Sequence, residues 1–247
     1  MEGKSKRFDK EKIQTYSSNE KVKYFLMVPF EDDNFLNSYN DICSKLEKDN
    51  PKDFNKYLFQ KPKKLHITLI VLDIKEDEKK KEKIINLINS LLKDIKSIVD
   101  NELIFNFEKF DVFDDIKKAH VLFAKMIEDE NYYKLKMVTN LIIKNLVKEN
   151  ILSKKDLENL HVKEEYSDGE LIYVLKYHIT LLNVKYLNQA LQKEGKQTQN
   201  NFDATEILKC IEKMSFPEFK MSKINLCAMR EDEKNGTYEL IHTFNIL

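Results

Sequence analysis

The chain is poor in cysteine: Cys43, Cys210 and Cys227 are odd in number, far apart and form no C-x-x-C pair. That excludes a disulfide framework and leaves no zinc-ligand spacing, so the three read as small buried or surface residues of a protein in a reducing cytosol. Charge of one sign is also missing. The 42 basic residues are matched by 42 acidic ones, so no bulk field draws the chain to duplex DNA and any contact with nucleic acid has to be local. Apolar runs such as Leu65 to Leu72 fall far short of the roughly 20 residues a membrane helix needs. The opening MEGKSKRFDK has no apolar signal core, and Glu2 stands where myristoylation requires glycine. No G-x-x-G loop of the KH type occurs. The expectation is a cytoplasmic protein with nuclear access possible, bound to neither membrane nor duplex DNA.

Hydrophobic periodicity supplies the organisation. Residues 1–20 are polar and aperiodic and read as a disordered arm ahead of a single domain over 21–247. VKYFLMVPF (22–30) and LHITLIVLDI (65–74) have the composition of buried strands, and a helix over about 34–48 lies between them. Ile84, Leu87, Ile88, Leu91, Leu92, Ile95 and Ile98 recur at helical spacing within 76–99. Strands are expected over 102–113 and 119–126 and a helix over 131–149, followed by a polar stretch to a turn at 167–169. Residues 170–187 read as one long strand or two broken ones, and 188–201 as a charged loop. Asp203-Ala-Thr-Glu206 has the form of a capping box opening a helix over 204–214. FKMSKINLCAM and TYELIHTFNIL, joined across Asn235-Gly236, form a terminal hairpin. Taken together these elements give an α+β fold.

The most informative residues are two identical His-Ile-Thr-Leu strings, at His66 and His178. Five histidines and eight threonines would produce roughly 0.16 H-x-T triplets by chance, so two lie well above background. In a strand, residues i and i+2 share a face about 6.6 Å apart, so His66 with Thr68, and His178 with Thr180, each present an imidazole and a hydroxyl together. An imidazole serves as acid or base near neutral pH, and a hydroxyl donates to a phosphate oxygen. Two such pairs facing each other form a phosphodiester site: one histidine takes a proton from water or a ribose hydroxyl, the other protonates the leaving oxygen. The scheme calls for no metal and no cofactor. A single strand histidine is more often structural; it is the duplication, on strands of like pattern, that favours chemistry and suggests two related lobes.

The paired HITL strands, with YFLMVPF ahead and YHITLLN, FDATEIL and NGTYEL behind, resemble the two-histidine (2H) phosphoesterase superfamily, and within it the phosphoesterase-like domain of A-kinase anchoring proteins. The resemblance runs over most of 22–247. It implies a bilobal fold in which two antiparallel sheets flank a central groove with helices outside. It further implies metal-independent chemistry, binding of nucleoside monophosphates such as AMP or CMP, and activity on 2′,5′-linked oligoadenylate or related cyclic or linear ribonucleotide diesters. By that pattern His66 and His178 are catalytic, and Thr68 and Thr180 bind phosphate.

Secondary candidates are Phe25 or Tyr24, as a base-stacking ring, and Arg230, as a grip on a terminal phosphate. His120, His161 and His242 lack the i+2 threonine and read as structural. The lysine runs Lys61–Lys64 and Lys79–Lys83 read as solvated surface, the first beside the entrance of a catalytic strand. Anchoring of a kinase regulatory subunit is doubtful, because the anchoring proteins carry their kinase-binding helix beyond the domain and this chain ends in a strand at Leu247. The stripe on 83–99 could imitate such a ligand but is better suited to packing on the sheet. Two rival functions remain: a non-catalytic AMP/CMP scaffold or sensor, and an RNA-end processing exonuclease of the same superfamily, which usually has serine where this chain has threonine.

Overall fold

The computed structural model describes residues 23–247 other than 75, 101, 114, 161 and 168, with only the backbone of 167. The arm expected over 1–20 and the structural role expected for His161 lie outside the described residues.

In chain order the first half runs β1 (Tyr24–Pro29), α1 (Asp33–Asp49), β2 (His66–Leu72), α2 (Glu78–Val99), β3 (Ile104–Phe105), β4 (Phe107–Val112), β5 (Val121–Met126) and α3 (Glu130–Lys148). The second half runs α4 (Lys154–Asn159), β6 (Lys163–Ser167), β7 (Glu170–Val174), β8 (His178–Asn183), α5 (Val184–Lys193), α6 (Thr205–Ile211), β9 (Phe219–Lys220), β10 (Lys223–Glu231) and β11 (Tyr238–Asn245). The helix starts follow from local chemistry. Asp32, Asp77 and Asp129 accept from Phe35, Lys80 and Tyr132 amides, each such cap contributing about 1 kcal/mol.

The strands form one antiparallel seven-stranded sheet in the order β11-β10-β1-β2-β8-β5-β4, with β3-β9 and β6-β7 as separate two-stranded pieces. The large sheet has two halves. β11-β10-β1-β2 and β8-β5-β4 are each paired over many residues, whereas β2 and β8 are registered through Ile67 and Ile179 alone. The two lobes expected from the duplicated motif therefore meet at the duplicated strands themselves.

Both motif strands show the same alternation. Ile67, Leu69, Ile179 and Leu181 are buried in the main core under the helices, and His66, Thr68, His178 and Thr180 stay partly open on the other face. α2 lays Ile84, Ile88, Leu91, Ile95 and Val99 inward and packs on α3 and β11. Its apolar stripe is thus covered, which removes it as a kinase-binding surface. Among the described residues no helix is long and apolar enough to cross a membrane.

Several expectations need correction. The strand expected over 102–113 breaks at Asn106 into β3 and β4, which join different sheets. The polar stretch 153–170 holds α4, opened by a Ser153–Asp156 capping box, and the ribbon β6-β7. Residues 184–193 are a helix and not strand or loop: Asn183, the last residue of β8, accepts from the Lys185 amide, and Val184, Leu187 and Leu191 share one buried face. α6 ends at Ile211, Asp203 accepts from the Thr205 amide, and Glu206 pairs with Lys209 instead of reaching back. Lys81 is not solvated surface either; it is 7% exposed, lies over the Tyr24 ring at 4.9 Å and pairs with Glu78 at 2.6 Å.

Candidate active site

Extending the Ile67–Ile179 register by one residue each way sets His66 opposite Thr180 and Thr68 opposite His178. The four residues singled out by the repeated motif thus come together on one open face, at the seam between the half-sheets.

Each imidazole is oriented by the main chain just ahead of its strand. His66 Nδ1 lies 2.7 Å from the Lys64 carbonyl oxygen and His178 Nδ1 lies 2.9 Å from that of Lys176. A carbonyl only accepts, so both neutral rings carry their proton on Nδ1 and present the Nε2 lone pair. In His66 that lone pair accepts from the Thr68 hydroxyl at 3.1 Å.

Aromatic side chains wall in each ring. Phe25 and Tyr238 meet His66 with centroids at 5.3 and 5.4 Å. Phe113 and Phe123 meet His178 edge-on at 4.7 and 5.4 Å. This apolar surround shifts both titrations. Burial pulls His66 down to about 4, opposed by the Lys64 carbonyl and assisted by the charge of His178. His178 is lowered for the same first reason, with the Lys176 carbonyl opposing. Both are thus held toward the neutral, proton-accepting form.

Phe25 belongs to this surround but is 1% exposed, clustered with Met27 and Cys227. It has no free face for a base, and supports His66 instead. The ring that stays open is Phe113, 38% exposed and stacked on Phe123 at 4.3 Å. Arg230 is not at the groove. Its neighbours Met229 and Glu231 line the cleft beside His66, whereas Arg230, in the irregular stretch between the Ala228 and Glu231 pairs, lies outside it. There its guanidinium is held by Glu239 and, at 2.6 Å, by Glu76. His120 is exposed, and His242 packs on Phe244 at 4.7 Å.

The cleft on the His66 side encloses about 620 Å³. Its charged lining is Lys56, Lys61, Lys64, Lys185, Lys193 and Glu231, a strong positive excess in a chain without net charge. A second cavity of about 310 Å³ adjoins Phe113 and Phe123 on the His178 side. Lys61 and Lys64 of the run Lys61–Lys64 therefore line the cleft, while Lys61 and Lys63 are exposed as expected of solvated surface. The Gln60 amide donates to the Leu181 carbonyl at 2.8 Å, and Tyr39 donates to the Gln60 carbonyl at 2.6 Å, tying the turn before β2 to β8. The lysine run is visible in the sequence, but its partners Glu231 and Tyr238, like Tyr186, which accepts from Gln60, come from distant elements and carry no local signal.

The model of the AKAP7 2'5' RNA ligase-like domain matches residues 22–246. The chain belongs to this family, and with it to the two-histidine phosphoesterase superfamily. Among solved structures, Escherichia coli LigT complexed with 3'-AMP aligns over 92% of this chain and 99% of its own, at 13% identity and a TM-score of 0.50. TT0787 of Thermus thermophilus aligns over 91% and 97%, at 14% identity and a TM-score of 0.49. Usb1 of Kluyveromyces marxianus with uridine monophosphate aligns over 91% and 98%, at 14% identity and a TM-score of 0.45. Among curated proteins none matches. The mixed helix and sheet architecture is that of LigT, and membership of the superfamily supports a phosphoesterase-type enzyme.

Proposed function

We propose that this protein is a metal-independent phosphodiesterase acting on 2′,5′-linked oligoribonucleotides or related cyclic or linear ribonucleotide diesters, with an AMP- or CMP-like nucleotide held in the groove. What supports this reading is the Ile67–Ile179 register, which sets the two imidazole–hydroxyl pairs on neighbouring strands, with each Nδ1 against a main-chain carbonyl so that Nε2 is the nitrogen left for chemistry.

A substrate phosphate accepts hydrogen bonds from Thr68 and Thr180, so Thr68 exchanges the His66 lone pair for a phosphate oxygen. One histidine removes a proton from the attacking water or ribose hydroxyl while the new O–P bond forms. The other, protonated, gives its proton to the leaving oxygen as the old P–O bond breaks, and solvent exchange restores the pair. The incoming anion loads the acid, because negative charge beside a buried imidazole raises its pKa. Phe113 offers the open aromatic face for a base.

A second reading, a nucleotide scaffold without turnover, draws support from the same titrations: with His66 near 4 the acid half of the pair is empty in the free protein at neutral pH. The two separate on a panel of 2′,5′- and 3′,5′-linked dinucleotides and 2′,3′-cyclic monophosphates, run with and without chelator. The expected result is chelator-insensitive cleavage that falls by at least about 10²-fold in His66→Ala and in His178→Ala. Mononucleotide binding with no cleavage of any substrate overturns the enzyme in favour of the scaffold.

A further inference from the structure

Lys64 is bound to the candidate centre twice. Its carbonyl accepts from His66, and its ammonium lies 4.9 Å from the centroid of the Tyr238 ring, whose edge meets His66. The Lys64 side chain is only 12% exposed, and its charge is balanced by Glu231 at 2.8 Å. Lys61 takes the other oxygen of the same carboxylate at 2.5 Å. A single carboxylate thus bridges two lysines at the wall of the cleft that reaches His66. These contacts hold the Glu231 carboxyl down at about 2.

Two ammonium groups converging on two oxygens of one anion are also the arrangement that holds a phosphate. Lys56, Lys185 and Lys193 line the same cleft, and none of the three has an ion-pair partner among the described residues. A dianion entering here gains from all of these lysines, whereas Glu231 engages two. We propose that Lys61 and Lys64 form a second phosphate site, occupied by Glu231 until substrate displaces it, which directs the protein to nucleotides bearing a phosphate beyond the one at the histidines. The inference rests on the groove reading above and narrows its substrate class: linear oligonucleotides and phosphorylated ends are favoured over 2′,3′-cyclic monophosphates, which carry only one phosphate. Glu231 acts as a built-in competitor. A ligand with a single phosphate leaves the carboxylate in place, and one with two exchanges it.

The test needs no turnover. Calorimetric titration of the full chain with 5′-AMP and with adenosine 2′,5′-bisphosphate compares one phosphate with two, and neither ligand has a diester to cut. The wild type is expected to favour the bisphosphate by at least about tenfold, with a steeper salt dependence. Glu231→Gln widens that ratio, and Lys61→Met combined with Lys64→Met collapses it toward one; thermal melts of each variant confirm folding. Equal ratios in the wild type and all variants, with both nucleotides bound, overturn the second site and leave the groove intact. Failure of both nucleotides to bind the wild type overturns the groove reading and this inference with it.

Discussion

Ile67 of β2 and Ile179 of β8 face each other across the seam of the large sheet, and theirs is the pair through which the two half-sheets are registered. Both are fully buried, and both sit between a motif histidine and a motif threonine. A side chain pointing into the core therefore positions four side chains pointing out of it. Ile67→Ala is expected to cost about 2–5 kcal/mol of stability, and to reduce activity in the surviving folded protein, because the facing pairs lose their shared spacer. Activity per folded molecule equal to wild type, with denaturation quantifying the folded fraction, would count against this coupling.

The hydroxyls should behave differently from the imidazoles. Thr68→Val and Thr180→Val keep the β-branched shape and remove one donor to an anion, a loss of about 1.5–3 kcal/mol. Nucleotide affinity is expected to fall roughly 10- to 100-fold with melting temperature nearly unchanged. Calorimetry against AMP reads the first quantity and a thermal melt the second.

Acid should weaken the fold through His66. Its pKa is near 6.5 when unfolded and about 4 when folded, so between those values the unfolded chain binds more protons. The His66 contribution is complete above about pH 6.5 and lost as pH falls toward 4, amounting to about 3 kcal/mol at most. Denaturant titrations across that window are expected to show a smaller decline in His66→Asn. Conversely AMP, by raising the imidazole pKa, should bind with proton uptake near pH 6. Calorimetry in buffers of different ionisation enthalpy measures that uptake.

Two phenylalanines next to the histidines separate packing from recognition. Phe25 is 1% exposed and Phe113 38%. Phe25→Ala should cost about 3–5 kcal/mol of stability. Phe113→Ala should leave stability within about 1 kcal/mol and remove about 1–3 kcal/mol of nucleotide affinity. The opposite distribution of effects would return the stacking role to Phe25.

A buried amide of α3 ties down the ribbon β6-β7 beside the packing of Tyr173 and the Lys144–Glu170 pair. Asn140 of α3 accepts from the Tyr173 amide at 2.5 Å and donates to the Tyr173 carbonyl at 2.9 Å. Asn140→Ala leaves both backbone groups unpaired, at a cost of about 1–3 kcal/mol for each buried group. Faster hydrogen exchange at Tyr173 is the expected sign of release.

What can be read from the sequence is what is local. The i, i+2 spacing of His66 with Thr68, the helical stripe of 84–98 and the Asn235-Gly236 turn each lie within a few residues, and the structure keeps all three. α5 is hidden because Asn183 ends a strand and caps a helix in one step, with no loop residue to mark the change. β6 escapes because Lys163, Glu164 and Glu165 are all exposed, so no apolar alternation exists to be seen. Arg230 and Lys64 mislead for a common reason. The carboxylates that decide their roles, Glu76 and Glu239 for one and Glu231 for the other, are brought to them by tertiary folding.

The atoms that choose the tautomer of both histidines belong to the main chain, at Lys64 and Lys176. Any residue type at 64 or 176 supplies the same oxygen, so exchanging those side chains leaves the orientation of the imidazoles untouched. A scan of point substitutions passes over this control in silence; only a change in the path of the backbone, such as a one-residue deletion ahead of either strand, would expose it.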